Sequence, residues 1–214
     1  MFQVIQENNT LLQAFILLRQ HSLETYLVGG CVRDILSNKH PKDFDIVTSV
    51  PFETIITEFE QNGWRVQTAG ANFLVCVVHK HGVNFEIANF RKDGSYTDGR
   101  RPDSVEIGTI HDDAFRRDFT INALYHEPFS DAVLDPTGHG LEDVRTKTLR
   151  FVGKPVERLT EDGLRALRFY RFVERGWVPH SKSLRAVREH FNDCVTKTTP
   201  ERIREELEKI VRLV

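Results

Sequence analysis

The stretch of sequence that decides the fold is LVGGCVRD at residues 27–34, followed by DFDI at residues 43–46. The apolar and β-branched segment Thr25–Val28 predicts a short buried strand. The two glycines that follow predict a tight turn into a helix over Cys31–Leu36. A second strand is expected over Phe44–Val47, so two strands are joined here through a glycine-rich turn and a helix, after a first helix that Asn9 or Thr10 could cap.

The rest of the chain divides into a β-rich part and a helical part. Pro51 is well placed to start a helix over Phe52–Gln61, and the polar segment Arg91–Ser104 is expected to be a loop. Strands are predicted over Phe73–His79, Val83–Asn89, Val105–Ile107, Ala123–His126 and Ala132–Leu134. From Pro155 onward the apolar residues recur at helical spacing. We therefore predict an α+β head domain with a mixed β-sheet over residues 1–149 and an all-helical segment over residues 150–214.

Composition predicts an ordinary globular protein of the cytoplasm. Of 214 residues, 40% are apolar and 28% are charged. No apolar run approaches a membrane span, residues 1–20 lack the order of a signal peptide, and three isolated cysteines indicate neither a disulfide framework nor a zinc site. The net charge is −2, but arginines crowd residues 91–117 and 150–175, which predicts a basic face.

Three carboxylates are candidate catalytic groups. Residues two apart in a strand face the same way, so Asp43 and Asp45 are expected to share one face and to bind Mg²⁺, which prefers oxygen ligands and substrate phosphates. For such a pair alone, two solvated carboxylates are the commoner explanation. Glu86 would add a third carboxylate if its strand lies beside Asp45; a solvated edge-strand glutamate is the alternative.

The glycine turn is a candidate phosphate site. Gly29 and Gly30 end a strand where a helix begins, and exposed N–H groups there favour an anion. Arg33, one helical turn further on, adds a bidentate phosphate donor. A Gly-Gly pair by itself usually marks only a tight turn, so the prediction depends on the three residues together.

Asp162 and Arg165 form a candidate base-reading pair. Their spacing of three predicts that they are adjacent on one helix face. A carboxylate only accepts hydrogen bonds and a guanidinium only donates them, so the pair complements cytosine and adenine and rejects uracil and guanine. The alternative is a surface ion pair worth a few tenths of a kcal/mol.

Five segments, in the order in which they follow along the chain, resemble the motifs of the class II tRNA nucleotidyltransferase and bacterial poly(A) polymerase family, within the polymerase-β-like nucleotidyltransferase superfamily. The matching segments are residues 27–46, RRDFTINA at 116–123, DPTG at 135–138, EDGLRALR at 161–168 and PERIREEL at 200–207. The resemblance implies a polymerase-β-like head followed by an all-helical neck. It also implies Mg²⁺-dependent transfer of CMP and AMP from CTP and ATP to the 3′ end of a tRNA, with release of pyrophosphate.

The resemblance also implies a role for each site residue. The catalytic carboxylates would be Asp43, Asp45 and Glu86, with metal held by Asp43 and Asp45. The triphosphate would be bound by Gly29, Gly30, Arg33, Arg116 and Arg117, and the sugar or phosphate by Asp118 and Asn122. The base would be selected by Asp162 and Arg165, with Arg168 in the same motif.

Substrate choice within the family stays open. The segment GANF at residues 70–73 does not match the signature of poly(A) polymerases, and residues 91–101 resemble the flexible loop that CC-only enzymes lack. CCA addition is therefore favoured over poly(A), CC-only or A-only addition. A rival of another class is a non-catalytic nucleotide- or RNA-binding module of a split assembly. Gly163 is a departure, because many relatives have proline there.

The C-terminal helix is expected to need a partner. Family members usually continue into helical body and tail domains, so the resemblance implies either a head-and-neck fragment or a short form in which a partner or dimer mate supplies the missing surface. Ile203, Leu207, Ile210 and Val214 would form an apolar stripe on an amphipathic helix. A second copy of the chain or a partner chain is the expected cover for it.

Overall fold

The computed structural model of the protein describes residues 8–211. Its strands are β1 Thr25–Val28, β2 Asp45–Thr48, β3 Arg65–Gly70, β4 Val75–Lys80, β5 Val83–Asn89, β6 Arg91–Asp93, β7 Val105–Ile107, β8 Tyr125–Glu127, β9 Ala132–Leu134, β10 Thr148–Leu149 and β11 Val178–Pro179. Its helices are α1 Asn9–Arg19, α2 Gly30–Leu36, α3 Phe52–Gln61, α4 Ile110–Phe115, α5 Gly140–Arg145, α6 Pro155–Glu161, α7 Leu164–Glu174, α8 Ser181–Thr196 and α9 Pro200–Val211. Short 3₁₀ turns cover Ala71–Phe73 and Thr120–Asn122.

A seven-stranded mixed sheet organises the first part of the chain. Its strand order is β3-β4-β5-β2-β1-β8-β9. The central pair β2 and β5 is parallel, and the other neighbours in the sheet are antiparallel. Helices α6 to α9 follow the sheet in sequence. This arrangement confirms the predicted α+β fold with a mixed sheet.

Several predicted elements differ from the observed ones. Strand β2 begins at Asp45 rather than Phe44, because Asp43 lies in a bend before it. The expected loop Arg91–Ser104 opens with strand β6, which pairs with β7. Strand β3 was not predicted, since most of its side chains are exposed and polar or small, which leaves no apolar periodicity to detect. The two missed strands form through pairing, β3 with β4 and β6 with β7, rather than from an apolar pattern of their own.

One hydrophobic core joins the sheet to the following helices. The buried cluster runs from Leu11 in α1 to Cys194 in α8. At its centre the ring of Phe119 lies 4.9 Å from that of Phe151, which stacks on Phe169 at 5.7 Å between centroids. The sheet and the neck helices are therefore fixed relative to one another by buried aromatic contacts.

Two further predictions concern the whole chain. The three cysteines are free and buried. The sequence had indicated no disulfide framework. In residues 8–211 we find no helix with the length and apolar character that a membrane crossing requires. The predicted apolar stripe is described only as far as Val211, so Val214 lies outside the described residues.

Candidate active site

The glycine turn between β1 and α2 forms one wall of the site. Gly29 has φ of +79° and ψ of −131°, a conformation that is essentially restricted to glycine. A Cβ there would lie 3.5 Å from Nη1 of Arg117 and 3.9 Å from Oδ2 of Asp45. The turn therefore brings main chain close to an arginine and a carboxylate that come from two other segments.

Two of the predicted carboxylates meet in the sheet. Because β2 and β5 are parallel neighbours, Asp45 pairs directly with Glu86, which confirms the predicted adjacency. The expected strand face shared by Asp43 and Asp45 is wrong, because Asp43 precedes the strand. Asp43 still acts on Asp45 electrostatically. Burial, followed by the negative charges of Glu86 and Asp43 and opposed by Arg117, raises the pKa of Asp45 to about 6.

This donor set fits a hard divalent cation. Carboxylate oxygens are the ligands that Mg²⁺ prefers, and mutual repulsion between acids is relieved by a cation. Within residues 8–211, no group of three or more His, Cys, Asp or Glu side chains is placed to hold a metal ion. Mg²⁺ commonly binds through one or two carboxylates together with substrate phosphates. Asp45 is half-buried, and Asp43 and Glu86 are exposed.

A polar pocket of about 220 Å³ lies beside Asp45. Eight predicted site residues line it: Gly29, Gly30, Arg33, Asp45, Arg117, Asp118, Asn122 and Arg168. Three residues that were not predicted also line it: Arg171, Phe172 and Arg175. Five predicted residues are not part of its lining: Asp43, Glu86, Arg116, Asp162 and Arg165. Five of the eleven lining residues are arginines, so the pocket presents guanidinium donors that suit an anion.

A chain of hydrogen bonds crosses the pocket from α2 to α7. Arg33 donates from Nη1 to Oδ1 of Asn122 at 2.6 Å, and the Asn122 amide donates to Oδ1 of Asp118 at 3.0 Å. Arg168 donates to the other Asp118 oxygen at 2.9 and 2.5 Å. Burial would raise the pKa of Asp118, but Arg168 and Asn122 hold it near 2. The sheet domain and the neck are thus joined inside the site by a fixed carboxylate.

Asp113 anchors the arginine pair and was not predicted. It is fully buried at the end of α4 and accepts hydrogen bonds from Arg116, Arg117 and the Tyr125 hydroxyl at 2.5–3.0 Å. Burial alone would raise its pKa, yet Arg117 and Arg116 lower it to about 2. Its spacing of four from Arg117 was the available signal. Asp113 holds Arg117, which lines the pocket, and also Arg116, which is not among the lining residues.

The predicted base-reading pair is not adjacent on one helix face, so that expectation is wrong. Asp162 ends α6 in an extended conformation, and α7 begins only at Leu164. The Asp162 carboxylate accepts two hydrogen bonds from Arg202 in α9, at 3.1 and 3.0 Å. Gly163 lets α8 approach closely at this junction, because a Cβ there would overlap the Cys194 carbonyl oxygen.

Arg165 is held by its own set of partners. It is 9% exposed and donates to Glu161 at 2.5 Å, to the Arg158 carbonyl at 3.0 Å and to the Arg116 carbonyl at 2.8 Å. The guanidinium therefore bridges the neck to the segment that carries the arginine pair. These three hydrogen bonds use both Nη1 hydrogens and one Nη2 hydrogen, which leaves Nε–H and the second Nη2–H of Arg165 as donors for a base.

A carboxylate pair on the two central strands of the sheet, beside a glycine turn and an arginine-lined pocket, defines the catalytic head of a nucleotidyltransferase. The family model of the poly(A) polymerase head domain matches residues 25–150. The chain belongs to that family, which comprises class II CCA-adding enzymes and poly(A) polymerases.

Named relatives and solved structures agree with this assignment. A CCA-adding enzyme of Anoxybacillus flavithermus is 34% identical over 195 residues, which is 91% of this chain. The Bacillus stearothermophilus CCA-adding enzyme in complex with CTP superposes with a TM-score of 0.82 at 30% identity, over 93% of this chain and 47% of its own. A tRNA nucleotidyltransferase complexed with a primer tRNA and an incoming ATP analogue superposes at 0.72 with 26% identity, over 89% and 56%. The chain spans 48% of the length of the Anoxybacillus relative.

Proposed function

We propose that the chain carries out Mg²⁺-dependent addition of CMP and AMP to the 3′-hydroxyl of a tRNA, using CTP and ATP. The observation that carries this proposal is the register pair Asp45 and Glu86 beside the arginine-lined pocket. A triphosphate bound there would place its phosphates between the carboxylates and the arginines. The names of the relatives support the choice of substrates.

In the proposed reaction the residues mainly position groups and balance charge. The 3′-hydroxyl oxygen bonds to the α-phosphorus while the bond to the β-phosphate breaks and pyrophosphate leaves. Bound Mg²⁺, held by Asp43 and Asp45 next to Glu86, would lower the pKa of the attacking hydroxyl and neutralise the leaving group. Arg33 and Arg117 would orient the triphosphate, which contributes through proximity and electrostatic stabilisation.

The remaining predicted residues have supporting roles in this proposal. Gly29 and Gly30 would allow the phosphates to approach the main chain. Asp118 and Asn122 lie between Arg33 and Arg168 and would contact the sugar or a phosphate. Arg116 would act through its pairing with Asp113.

Base selection would use the hydrogen-bonding positions that the present partners of the pair leave open. Asp162 accepts three hydrogen bonds, from Arg202 and the Leu164 N–H, and Arg165 donates three of its five, so each keeps a position for a base. Cytosine and adenine would supply the matching donor and acceptor, whereas uracil and guanine would leave these positions unpaired.

One assay tests the proposal. The full chain with Mg²⁺ is incubated with tRNA lacking its CCA end, with each labelled nucleoside triphosphate separately and with CTP and ATP together. Sequencing of the product ends should give CCA with both nucleotides and no extension with UTP or GTP. Bound nucleotide without any pyrophosphate release would instead identify the non-catalytic module.

A second candidate function is poly(A) synthesis. It is favoured by the family model, which describes a poly(A) polymerase head domain. In the same assay a poly(A) polymerase would add many adenylates to any RNA 3′ end, and CC-only or A-only enzymes would stop after their own nucleotides. The length of the added tract therefore separates these alternatives.

The predicted cover for the C-terminal helix stays a prediction. An apolar groove of about 510 Å³ along α9 is lined by Ile203, Leu207 and Val211, among others. A second copy or a partner chain is the expected occupant. The cytoplasmic location likewise stays a prediction.

A further inference from the structure

Five arginines line the polar pocket beside Asp45, and four of them form an ion pair with a carboxylate. Those four pairs are Arg33 with Asp34, Arg117 with Asp113, Arg168 with Asp118 and Arg171 with Glu206. Arg175 is the exception: within residues 8–211 its side chain makes no hydrogen bond or ion pair with another side chain. It is the one guanidinium of the pocket lining whose donors are all available to a ligand.

The backbone conformation at the C-terminal end of α7 determines the position of Arg175. Its N–H bonds to the Phe172 carbonyl, and Gly176, at φ of +85°, turns the chain away. Trp177 then packs against the Phe172 ring at 6.3 Å between centroids. This glycine-terminated helix end places Arg175 one and two turns beyond Arg171 and Arg168, on the face that lines the pocket.

The surroundings of Arg175 are strongly positive. Burial, followed by the charges of Arg171 and Arg33, lowers its pKa, and Glu206 and Asp34 act in the opposite direction. A helix C-terminus favours a cation by itself, which would account for an arginine anywhere at this end. It does not account for an arginine that lines a pocket beside two other guanidinium groups and has no carboxylate partner of its own, whereas Arg33 and Arg171 each have one.

We propose that Arg175 is a further substrate-binding residue, one that contacts the terminal phosphates of the incoming nucleoside triphosphate, a role that rests on the proposed function. It neighbours Arg33, which follows the glycine turn where the triphosphate is expected. Asp162 and Arg165, the proposed base readers, lie outside the pocket lining. Arg175 is therefore at the phosphate end of the bound nucleotide.

The test compares ligands that differ only in those phosphates. Dissociation constants of CTP and CMP are measured by calorimetry, with Mg²⁺, for the full chain and for Arg175→Ala and Arg175→Lys. Arg185→Ala, an exposed arginine on α8 outside the pocket lining, is the matched control. We expect Arg175→Ala to weaken CTP about tenfold and CMP less than twofold, because one charge-assisted contact is lost only with CTP. Arg175→Lys should recover part of this loss.

A transfer assay adds a second readout. Loss of a contact present equally in the bound and transition states raises KM for CTP and for ATP by the same factor and leaves kcat nearly unchanged. Unchanged CTP binding, equal weakening of CTP and CMP, or weakened binding of the tRNA alone would overturn the assignment.

The outcomes also separate this assignment from the proposed function. A wild-type chain that binds CTP but transfers nothing disproves the function, while the ratio of CTP to CMP affinity still decides the role of Arg175. A wild-type chain that binds no CTP disproves both.

Discussion

Asp45 is the side chain in which stability and the proposed function conflict most directly. Burial and the adjacent Glu86 raise its pKa to about 6, so its ionised form at neutral pH works against folding. Asp45→Asn removes the charge and keeps the shape. We expect it to raise the free energy of unfolding by about 1 kcal/mol and to lower nucleotide transfer about a thousandfold or more.

Urea denaturation and the transfer assay measure these two effects. Asp193→Asn, an exposed aspartate on α8, is the matched control and should change neither quantity. An Asp45→Asn protein that is more stable and equally active would remove Asp45 from the reaction. One that is less stable would show that Glu86 does not repel it.

The ionised carboxylate of Asp113 stabilises the folded protein, whereas that of Asp45 destabilises it. Because Arg117 and Arg116 overcome the effect of burial, the pKa of Asp113 is about 2 in the folded protein against an ordinary 3.8. Between these values the unfolded chain binds more protons, so the free energy of unfolding falls as the pH falls from about 4 to 2. The loss should reach about 2 kcal/mol.

Asp113→Asn tests this pH dependence. The variant should be less stable at pH 7, because Arg116 and Arg117 lose their shared partner, and the difference from wild type should shrink toward pH 2. Urea midpoints between pH 2 and 7 provide the measurement. A constant difference across that range would contradict the assignment of the low pKa to Asp113.

The junction of α6 and α7 depends on a glycine. A Cβ on Gly163 would overlap the Cys194 carbonyl oxygen and lie 2.9 Å from Oγ1 of Thr198, so α8 packs against bare main chain. We expect Gly163→Ala to lower the free energy of unfolding by about 2 kcal/mol, as overpacking does. Glu189→Ala, on the exposed side of α8, is the control in thermal denaturation. Stability equal to wild type would mean that α8 shifts freely.

The same junction is tied to α9 through Asp162 and Arg202. Arg202 donates two hydrogen bonds that orient the carboxylate, and the Leu164 N–H donates another at 3.0 Å. If Asp162 selects the base, Arg202→Ala should loosen the choice and raise UMP incorporation relative to CMP by about tenfold. Competition between labelled UTP and CTP measures this ratio. Unchanged selectivity would count against a positioning role for Arg202.

The elements themselves were predictable where local sequence decides them. The observed bounds of β1, α3, β5, β7 and β9 match the predicted ones, since each has a continuous apolar pattern or a proline start. The edge strand β3 and the strand at Arg91 were missed, because their conformation comes from pairing with β4 and β7. The break between α6 and α7 was also missed; it falls at Asp162, whose extended backbone has no signal in the spacing of the apolar residues.

The site was predictable to the extent that its residues are close in sequence. Gly29, Gly30 and Arg33 form one turn and helix, and they line the pocket as a unit. From the sequence, Asp45 and Glu86 were expected to be adjacent only if their strands were neighbours. The sequence does not determine the order of the strands in the sheet. Asp113 and Arg175 were missed because one acts from inside the core and the other is brought to the pocket by the end of a helix.

The whole molecule is expected to unfold as one cooperative unit. The sequence predicts a boundary near residue 150, yet the aromatic core crosses it through Phe119, Phe151 and Phe169. Asp118 and Arg168 add a buried ion pair between the two sides. Separating them would expose the rings and leave a carboxylate unpaired, which costs more than either side could recover alone.

The chain has two tryptophans, which makes this prediction measurable. Trp64 is buried before β3, and Trp177 is half-buried after α7, so each reports on one side of the predicted boundary. In Trp177→Phe only Trp64 fluoresces, and in Trp64→Phe only Trp177 does. For each variant, the urea midpoint from fluorescence should coincide with the midpoint from far-ultraviolet circular dichroism. An earlier transition reported by Trp177 alone would show that the neck unfolds independently and that the aromatic contacts do not couple it to the sheet.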